Sequence, residues 1–262
     1  CNGLLLLCGD IISQPGPRFP VSEHRRKSRS SVLKCLLLNA QSLLSKNKDI
    51  EGNGIAWNLH RFQDFVYSEC ADIVFVTESW LTSKVLDTEL LCQEYAIIRK
   101  DRVAKRGGGV LIAVKSNMFR SVYNLLIPAA EDLELVSAVV ETYSGQRILL
   151  CSCYRTGEAD DKWMKSFNNF LDESCSKFNN MLIWGDLNLP KISWDPSEHL
   201  SGANEQTFIN ILNDHFLTQH NTIPTRGNNV LDLVISSVPD QVSVTEVVKP
   251  SDAALFTDHS LV

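Results

Sequence analysis

MLIWGDLN, residues 181–188, is the stretch on which the reading of the fold turns. Met181, Leu182, Ile183 and Trp184 form an apolar run of strand length, and Gly185, Asp186, Leu187 and Asn188 follow it at once. An apolar run without polar alternation is the pattern of a strand covered on both faces. The acid and the amide stand where such a strand emerges from the core. The same pattern recurs along the chain. VLKCLLLN (32–39) ends in Asn39, and DIVFVTES (72–79) runs into Glu78.

Further strands are expected at 95–98, 110–115, 121–127, 133–142, 147–154, 230–236 and 242–248. Apolar residues at helical spacing predict three helices. The first covers 55–69, through Ile55, Leu59, Phe62, Phe65 and Val66. The second covers 160–178, through Trp163, Phe167, Phe170 and Leu171. The third covers 204–216, through Phe208, Ile211, Leu212 and Phe216. Long apolar strands alternating with a few helices imply two sheets packed face to face, with helices on the outside. No internal repeat or low-complexity tract interrupts this order.

Composition agrees with one large domain. The 262 residues are 44% hydrophobic and 21% charged, enough apolar material for a core without metal or disulfide support. The net charge of −6 excludes a uniformly basic nucleic-acid coat but not a local basic face. The eight cysteines form no C-x-x-C pair, so reduced, buried thiols are expected, and no zinc spacing exists among the histidines. The apolar run Leu4 to Cys8 meets Asp10 far short of a membrane span, so no membrane partner is expected. Residues 1–31 read as a leader, with the turn cluster Gln14-Pro15-Gly16-Pro17 and the basic run HRRKSR (24–29). That run is either a solvated linker or an arm that touches phosphates or serves as a nuclear address. The domain proper is expected at 32–262. Both chain ends read as cuts in a longer polypeptide, with the last strand truncated at Val262.

Function is read from the polar residues at the strand ends. To Asn39, Glu78, Asp186 and Asn188 the chain adds Tyr154 and Arg155, Asp232 between two leucines, and Asp258-His259. Singly, each has an ordinary explanation, since Asp and Asn are common turn formers. Jointly they are the set required for metal-assisted phosphodiester hydrolysis. Mg²⁺ takes oxygen ligands and retains water, so one or two carboxylates suffice. A carboxylate can orient and deprotonate the attacking water. Amides, a phenol and an imidazole held by a carboxylate can donate to phosphate oxygens.

These residues, in this order, resemble the endonuclease/exonuclease/phosphatase superfamily. More closely, the chain resembles the endonuclease domain of a non-LTR (LINE) retrotransposon polyprotein of the chicken-repeat type. The stretches that carry the resemblance are GDIISQPGP (9–17), LLLNAQSLLSK (36–46), DIVFVTESWL (72–81), RKDRVAKRGGGVLIAV (99–114), CSCYR (151–155), LIWGDLNLPKISW (182–194), IPTRGNNVLDLVIS (223–236) and TDHSLV (257–262). Gln41, Thr156, Leu187 and Thr257 depart from the commoner family residues without removing a catalytic group.

The resemblance implies a four-layered α/β sandwich of two mixed, mostly antiparallel sheets. It implies Glu78 as the main Mg²⁺ ligand (Mn²⁺ as an alternative), helped by Asn39 and assisted by Asp258. Asp186 would align and activate water, Asn188 would position the phosphate, and Tyr154 would contact it or support the leaving group. His259, oriented by Asp232, would bind a phosphate oxygen. Thr225 and Thr257 match small hydroxyl positions near the site. Arg155 and the basic stretch Arg99, Lys100, Arg102 and Arg106 are candidate phosphate contacts. The implied activity is nicking of one strand of double-stranded DNA to leave a 3′-hydroxyl and a 5′-phosphate. The resemblance further implies a reverse transcriptase downstream and a nuclear or cytoplasmic location. The site residues alone do not separate this reading from an abasic-site endonuclease, a phosphoinositide or lipid phosphodiesterase, or an inactive nucleic-acid-binding remnant.

Overall fold

The computed structural model describes residues 32–48, 55–103, 105–157, 161–194 and 202–262, so the expected leader lies outside the described residues. Leu33–Val262 forms one compact unit.

The first sheet has four strands in the order β1 (Cys35–Asn39), β4 (Ile73–Thr77), β6 (Val110–Lys115) and β5 (Tyr95–Lys100). The second has six, in the order β11 (Thr218–Gln219), β12 (Asp232–Ser236), β10 (Met181–Asp186), β9 (Arg147–Tyr154), β8 (Glu134–Glu141) and β7 (Ser121–Asn124). β1 and β4 are parallel, as are β9 and β10, and the remaining pairs in both sheets are antiparallel. A small hairpin pairs β2 (Lys46–Lys48) with β3 (Ile55–Trp57).

The apolar runs lack polar alternation because both faces of the central strands are buried. Successive side chains point to opposite faces. In β4, Ile73 and Phe75 join the core between the sheets, while Val74 and Val76 pack outward with Phe62 and Val66 of α1 (Asn58–Ser68). In β10, Trp184 faces inward against Phe75, the rings tilted by 34° at a centroid distance of 4.8 Å. Met181 and Ile183 face α3 (Asp161–Cys175) and α4 (Ala203–Asp214). The layers are therefore helix, sheet, sheet, helices, the expected four-layered sandwich. A short helix, α2 (Asp87–Leu90), adds Leu90 to the core beneath α1. Among the described residues no helix is long and apolar enough to cross a membrane.

Two expected elements differ. The helix over 55–69 begins at Asn58, because Ile55–Trp57 is extended and pairs with the preceding strand. The strand over 242–248 does not form. Val242 and Val244 pack against the core between the sheets, and only Val248 bridges to Leu261. Their apolar alternation reflects this covering role rather than a ladder. The thiols also differ from expectation in part. Cys151 and Cys153 are buried, but Cys70 and Cys92 are exposed; these, with Cys35 and Cys175, are all free.

Topology sets where the site lies. The parallel pairs put the C-terminal ends of β1, β4, β9 and β10 at one rim, and antiparallel pairing brings the start of β12 to the same place. Gly185 is required within β10, since a Cβ there would lie 1.8 Å from the carbonyl oxygen of Cys153.

The helical layer under the second sheet is held by an aromatic cluster in which Phe167 meets Trp163, Phe170 and Phe208 at centroid distances of 4.9, 6.1 and 5.8 Å. Phe167→Ala should cost about 3–5 kcal/mol of stability, the usual penalty for emptying a buried aromatic position. Urea denaturation followed by circular dichroism measures it; a loss below about 1 kcal/mol would mean that this layer is not packed as described.

Candidate active site

The centre of the site is a cross-strand pair of acids. Asp186, the last residue of β10, stands opposite Asp232, the first of β12, in the antiparallel register. Their side chains are almost wholly buried, at 1% exposure each. Side chains so placed are neighbours, and like charges there repel. His259 lies between them. Its Nδ1 is 2.7 Å from Asp232 Oδ2, and its Nε2 is 3.9 Å from Asp186 Oδ2. The first contact assigns the proton on Nδ1 and leaves Nε2 facing Asp186.

The chain end that carries His259 is firmly anchored. Its backbone N–H donates to Thr257 Oγ1, whose hydroxyl donates to the carbonyl of Asn39 at 2.8 Å. Ser260 N–H donates to the Thr225 carbonyl, and Val262 exchanges both backbone bonds with Leu37 of β1. Thr225 Oγ1 accepts the N–H groups of Leu231 and Asp232, both at 3.2 Å. Both threonines therefore act as braces for the Asp232–His259 pair.

Around Asp186, Asn39 Nδ2 donates to Oδ2 at 2.8 Å and the Asn188 backbone N–H donates to Oδ1 at 3.0 Å. The other end of the Asn39 amide, Oδ1, accepts from Gln41 N–H. Asn188 adopts a left-handed backbone and sends its side-chain Nδ2 to the Arg155 carbonyl. Arg155 is buried and donates from Nη1 to the carbonyls of Leu187 and Asn188. It holds the turn that follows β10, a different place from the phosphate surface expected of it.

Glu78 and Tyr154 form a second group at the same rim. The Tyr154 hydroxyl donates to Glu78 Oε1 at 2.7 Å, and the Trp80 indole Nε1–H donates to Glu78 Oε2 at 2.9 Å. Burial raises the Tyr154 phenol well above its ordinary pKa, reinforced by the Glu78 carboxylate and the charge of Asp186, so it remains a donor. Asp258 stands further out, half exposed, ion-paired with Arg226 at 2.7 Å and bonded to Gln41. Its Oδ1 is 3.8 Å from His259 Nε2. The assisting metal ligand implied for this position is thus a surface acid with its own partners.

The basic stretch is engaged within the molecule. Arg99 pairs with Asp87 at 3.1 Å and donates to the Val85 carbonyl. Lys100 donates to the carbonyls of Glu131 and Leu133. Arg102 pairs with Glu134 and lies 5.5 Å from the Tyr154 ring centroid. All three bases thus have partners inside the molecule. Arg106 is exposed, stacked over Trp80 at 5.1 Å.

Two sets of donors could hold a cation. Single atoms of Asp186, Asp232 and His259 lie within 4.8 Å of one another, and Asp232 Oδ1 is buried without a hydrogen-bond partner. Glu78 is the other. Its oxygens each accept one hydrogen bond, and a carboxylate offers about four lone-pair sites. An oxygen-rich donor set with surplus negative charge fits a hard divalent cation.

The surplus charge is visible in the titration of the centre. Burial first, and then the charge of Asp232, push the Asp186 carboxyl up to about 8, against the opposing pull of His259 and the bonds from Asn39 and Asn188. Burial would lower the His259 imidazole, but the hydrogen bond and charge of Asp232, with Asp186 and Asp258, outweigh it and hold it above the ordinary value.

Sequence reasoning missed several residues that build the site. Trp80 follows Glu78 by two, and its indole in ESWL has no periodic signature. Asn58 is fully buried, donating to the carbonyls of Ala40 and Ser42 and accepting from Phe256 N–H. Ser152 ties the two sheets together through Val76 O at 3.1 Å. An amide or hydroxyl in an apolar context was the available signal, and it does not name its partner.

Several solved structures share this fold. The endonuclease domain of TRAS1, a telomere-specific non-LTR retrotransposon, superposes with a TM-score of 0.64 at 14% identity, covering 87% of this chain and 95% of that one. The 3′-5′ exonuclease from Neisseria meningitidis gives 0.62 at 20% identity, covering 87% and 97%. An AP endonuclease from Leishmania major gives 0.65 at 12% identity, covering 87% and 86%. The chain has the fold of the endonuclease/exonuclease/phosphatase superfamily, as its motifs implied. Residues 148–262 match the family described as "Endonuclease-reverse transcriptase". Among curated proteins no relative matches.

The raised Asp186 pKa gives a signed expectation. A carboxyl that titrates near 8 when folded and near 4 when unfolded stabilises the fold below about pH 4 and loses that contribution as pH rises toward 8. In EDTA, Asp186→Asn should therefore gain stability relative to wild type as pH is raised across this interval. Urea midpoints at successive pH values measure the difference; a difference independent of pH would mean that Asp186 is ionised throughout.

Proposed function

We propose that this protein is a divalent-metal-dependent endonuclease that nicks one strand of double-stranded DNA, leaving a 3′-hydroxyl and a 5′-phosphate. The observation that carries the reading is the Asp186–His259–Asp232 arrangement, braced by Asn39 and Asn188, beside the Glu78–Tyr154 pair at one rim. The match of residues 148–262 to an endonuclease-reverse transcriptase family supports the retrotransposon setting. So does the likeness to a retrotransposon endonuclease domain. In that setting the nick primes reverse transcription by a downstream polymerase, in the nucleus or the cytoplasm.

Glu78, with Asn39 nearby, would hold Mg²⁺ or Mn²⁺. Such an ion supplies charge neutralisation at the phosphate and at the leaving oxygen. The chain's own residues divide the remaining work. Asp186, in its ionised form, accepts a proton from the attacking water. Asn39 and the Asn188 N–H fix its two oxygens, so the carboxylate presents one orientation. His259 donates from Nε2 to a phosphate oxygen while Asp232 holds Nδ1. Its raised pKa favours the doubly protonated imidazolium that this requires. Tyr154, kept protonated, donates from its hydroxyl to the phosphate or the departing oxygen. Arg106, exposed beside Glu78's indole partner, is the member of the basic stretch best placed for DNA phosphate.

A supercoiled-plasmid assay tests the activity. Nicked circles should form with Mg²⁺, none should form in EDTA, and the nicks should be resealed by a DNA ligase. Asp186→Ala and His259→Ala should each lower the rate by about 10²–10⁴, the range for loss of a positioned acid or base. Nicking that persists in EDTA or in either variant would sink the assignment. Much faster cutting of an abasic duplex than of intact DNA would move the substrate to damaged DNA. For binding, Arg106→Ala should lower the slope of log affinity against log salt by roughly one. An unchanged slope in fluorescence-anisotropy titrations would remove Arg106 from the interface.

A further inference from the structure

The segment Glu78–Ser79–Trp80 is built in a way that metal chemistry alone does not require. Glu78 and Trp80 both have left-handed backbone, with φ of 48° and 52°, a conformation that residues with side chains adopt rarely and mostly where the surroundings enforce it. The result is that the two side chains meet, with the indole Nε1–H directed at Glu78 Oε2 at 2.9 Å. Tyr154 holds the other oxygen at 2.7 Å. The Glu78 carboxylate is therefore gripped at both oxygens from two sides of the rim.

The triple glycine, residues 107–109, is the support for this grip. Ser79 N–H donates to the Gly109 carbonyl at 3.1 Å and Trp80 N–H to the Gly108 carbonyl at 2.9 Å. A Cβ on Gly109 would stand 2.6 Å from Ser79 Oγ, and one on Gly108 would stand 2.2 Å from both Arg102 Cζ and Glu134 Oε1. Both glycines also have positive φ. The glycines let the loop lie flat against the Glu78 segment, while Arg106 covers the Trp80 ring from the solvent side at 5.1 Å. Trp80 is thus fixed by its backbone, by its ring face and by its indole N–H.

We infer that Trp80 is a positioning residue, holding the Glu78 carboxylate through the indole N–H so that a divalent cation meets a preset ligand. The inference rests on the reading of Glu78 as the cation ligand. Groups that orient a ligand set metal affinity although they never touch the metal.

The test is Mn²⁺ binding to the DNA-free protein by calorimetry, for wild type, Trp80→Phe and Glu78→Gln. Phenylalanine keeps an aromatic ring beneath Arg106 and removes the N–H. The expected result is Mn²⁺ affinity weakened about tenfold or more in Trp80→Phe, the usual cost of losing a ligand's orienting partner, with the melting temperature in EDTA unchanged. Unchanged Mn²⁺ affinity in Trp80→Phe, with binding lost in Glu78→Gln, would overturn the role of Trp80 and leave Glu78 as the ligand. Unchanged binding in Glu78→Gln would overturn the ligand reading itself, and the positioning role with it. Should Trp80→Phe melt early, wild-type protein gives the answer by NMR. Of the five tryptophan indole N–H signals, that of Trp80 should be the first to broaden as paramagnetic Mn²⁺ is added. Broadening that spares it would overturn the inference.

Discussion

Two buried carboxylates directly opposite one another in a β-ladder are an arrangement that a protein interior resists. Asp186 and Asp232 occupy that arrangement, and much of the surrounding structure is an answer to it. His259 is inserted as the compensating group, and the last residues of the chain are tied to β1 and to the Thr225 turn to keep it there. Asn39 and the Asn188 N–H each satisfy one oxygen of Asp186, and Asn221 Nδ2 bonds to the Asp232 carbonyl. Burial first, and then the facing charge of Asp232, hold the Asp186 carboxyl high, and Asp232 Oδ1 has no hydrogen-bond partner. Incomplete neutralisation between buried acids is what a cation or a phosphate-bound cation can complete.

The two sheets bring this about by direction of travel. Parallel pairs place strand ends together, and one antiparallel neighbour returns a strand start to the same rim. The inward faces supply the rigidity. Phe75 and Trp184 pack across the two sheets below the site, and Ser152 bonds to Val76 O from one sheet to the other. Side chains at the ends of such strands inherit the precision of the core without being part of it.

The fold was legible in the sequence because doubly buried strands leave continuous apolar runs, and the α3 and α4 helices leave stripes at helical spacing. The strand ends gave Asn39, Glu78, Tyr154, Asp186, Asn188, Asp232 and His259, and the structure gathers all of these at one rim. Legibility failed where a pattern had two physical causes. Val242 and Val244 alternate because they cover a core, and no ladder forms there. Arg99, Lys100 and Arg102 cluster in the sequence like a polyanion site, yet their partners are Asp87, main-chain carbonyls and Glu134, distant in the chain. Arg155, read as a candidate phosphate contact, is buried and braces the turn after β10, which its place beside Tyr154 in the sequence does not reveal. Trp80 could not be found at all, because its role depends on two left-handed backbone angles that no composition signals.

The Gln41–Asp258 and Thr257–Asn39 bonds join residues separated by more than two hundred positions. The chemistry is thus distributed over nearly the whole described chain. The stretch 148–262 that matches the endonuclease family contains Asp186, Asn188, Asp232 and His259, but it contains neither Glu78 nor Asn39. No contiguous half of the domain can bring all of these side chains together, and the segment that carries His259 is tied back to β1 by the paired backbone bonds of Val262 and Leu37. The full set is a property of the whole sandwich: a fragment limited to 148–262 would carry the acid–imidazole centre without Glu78 or Asn39.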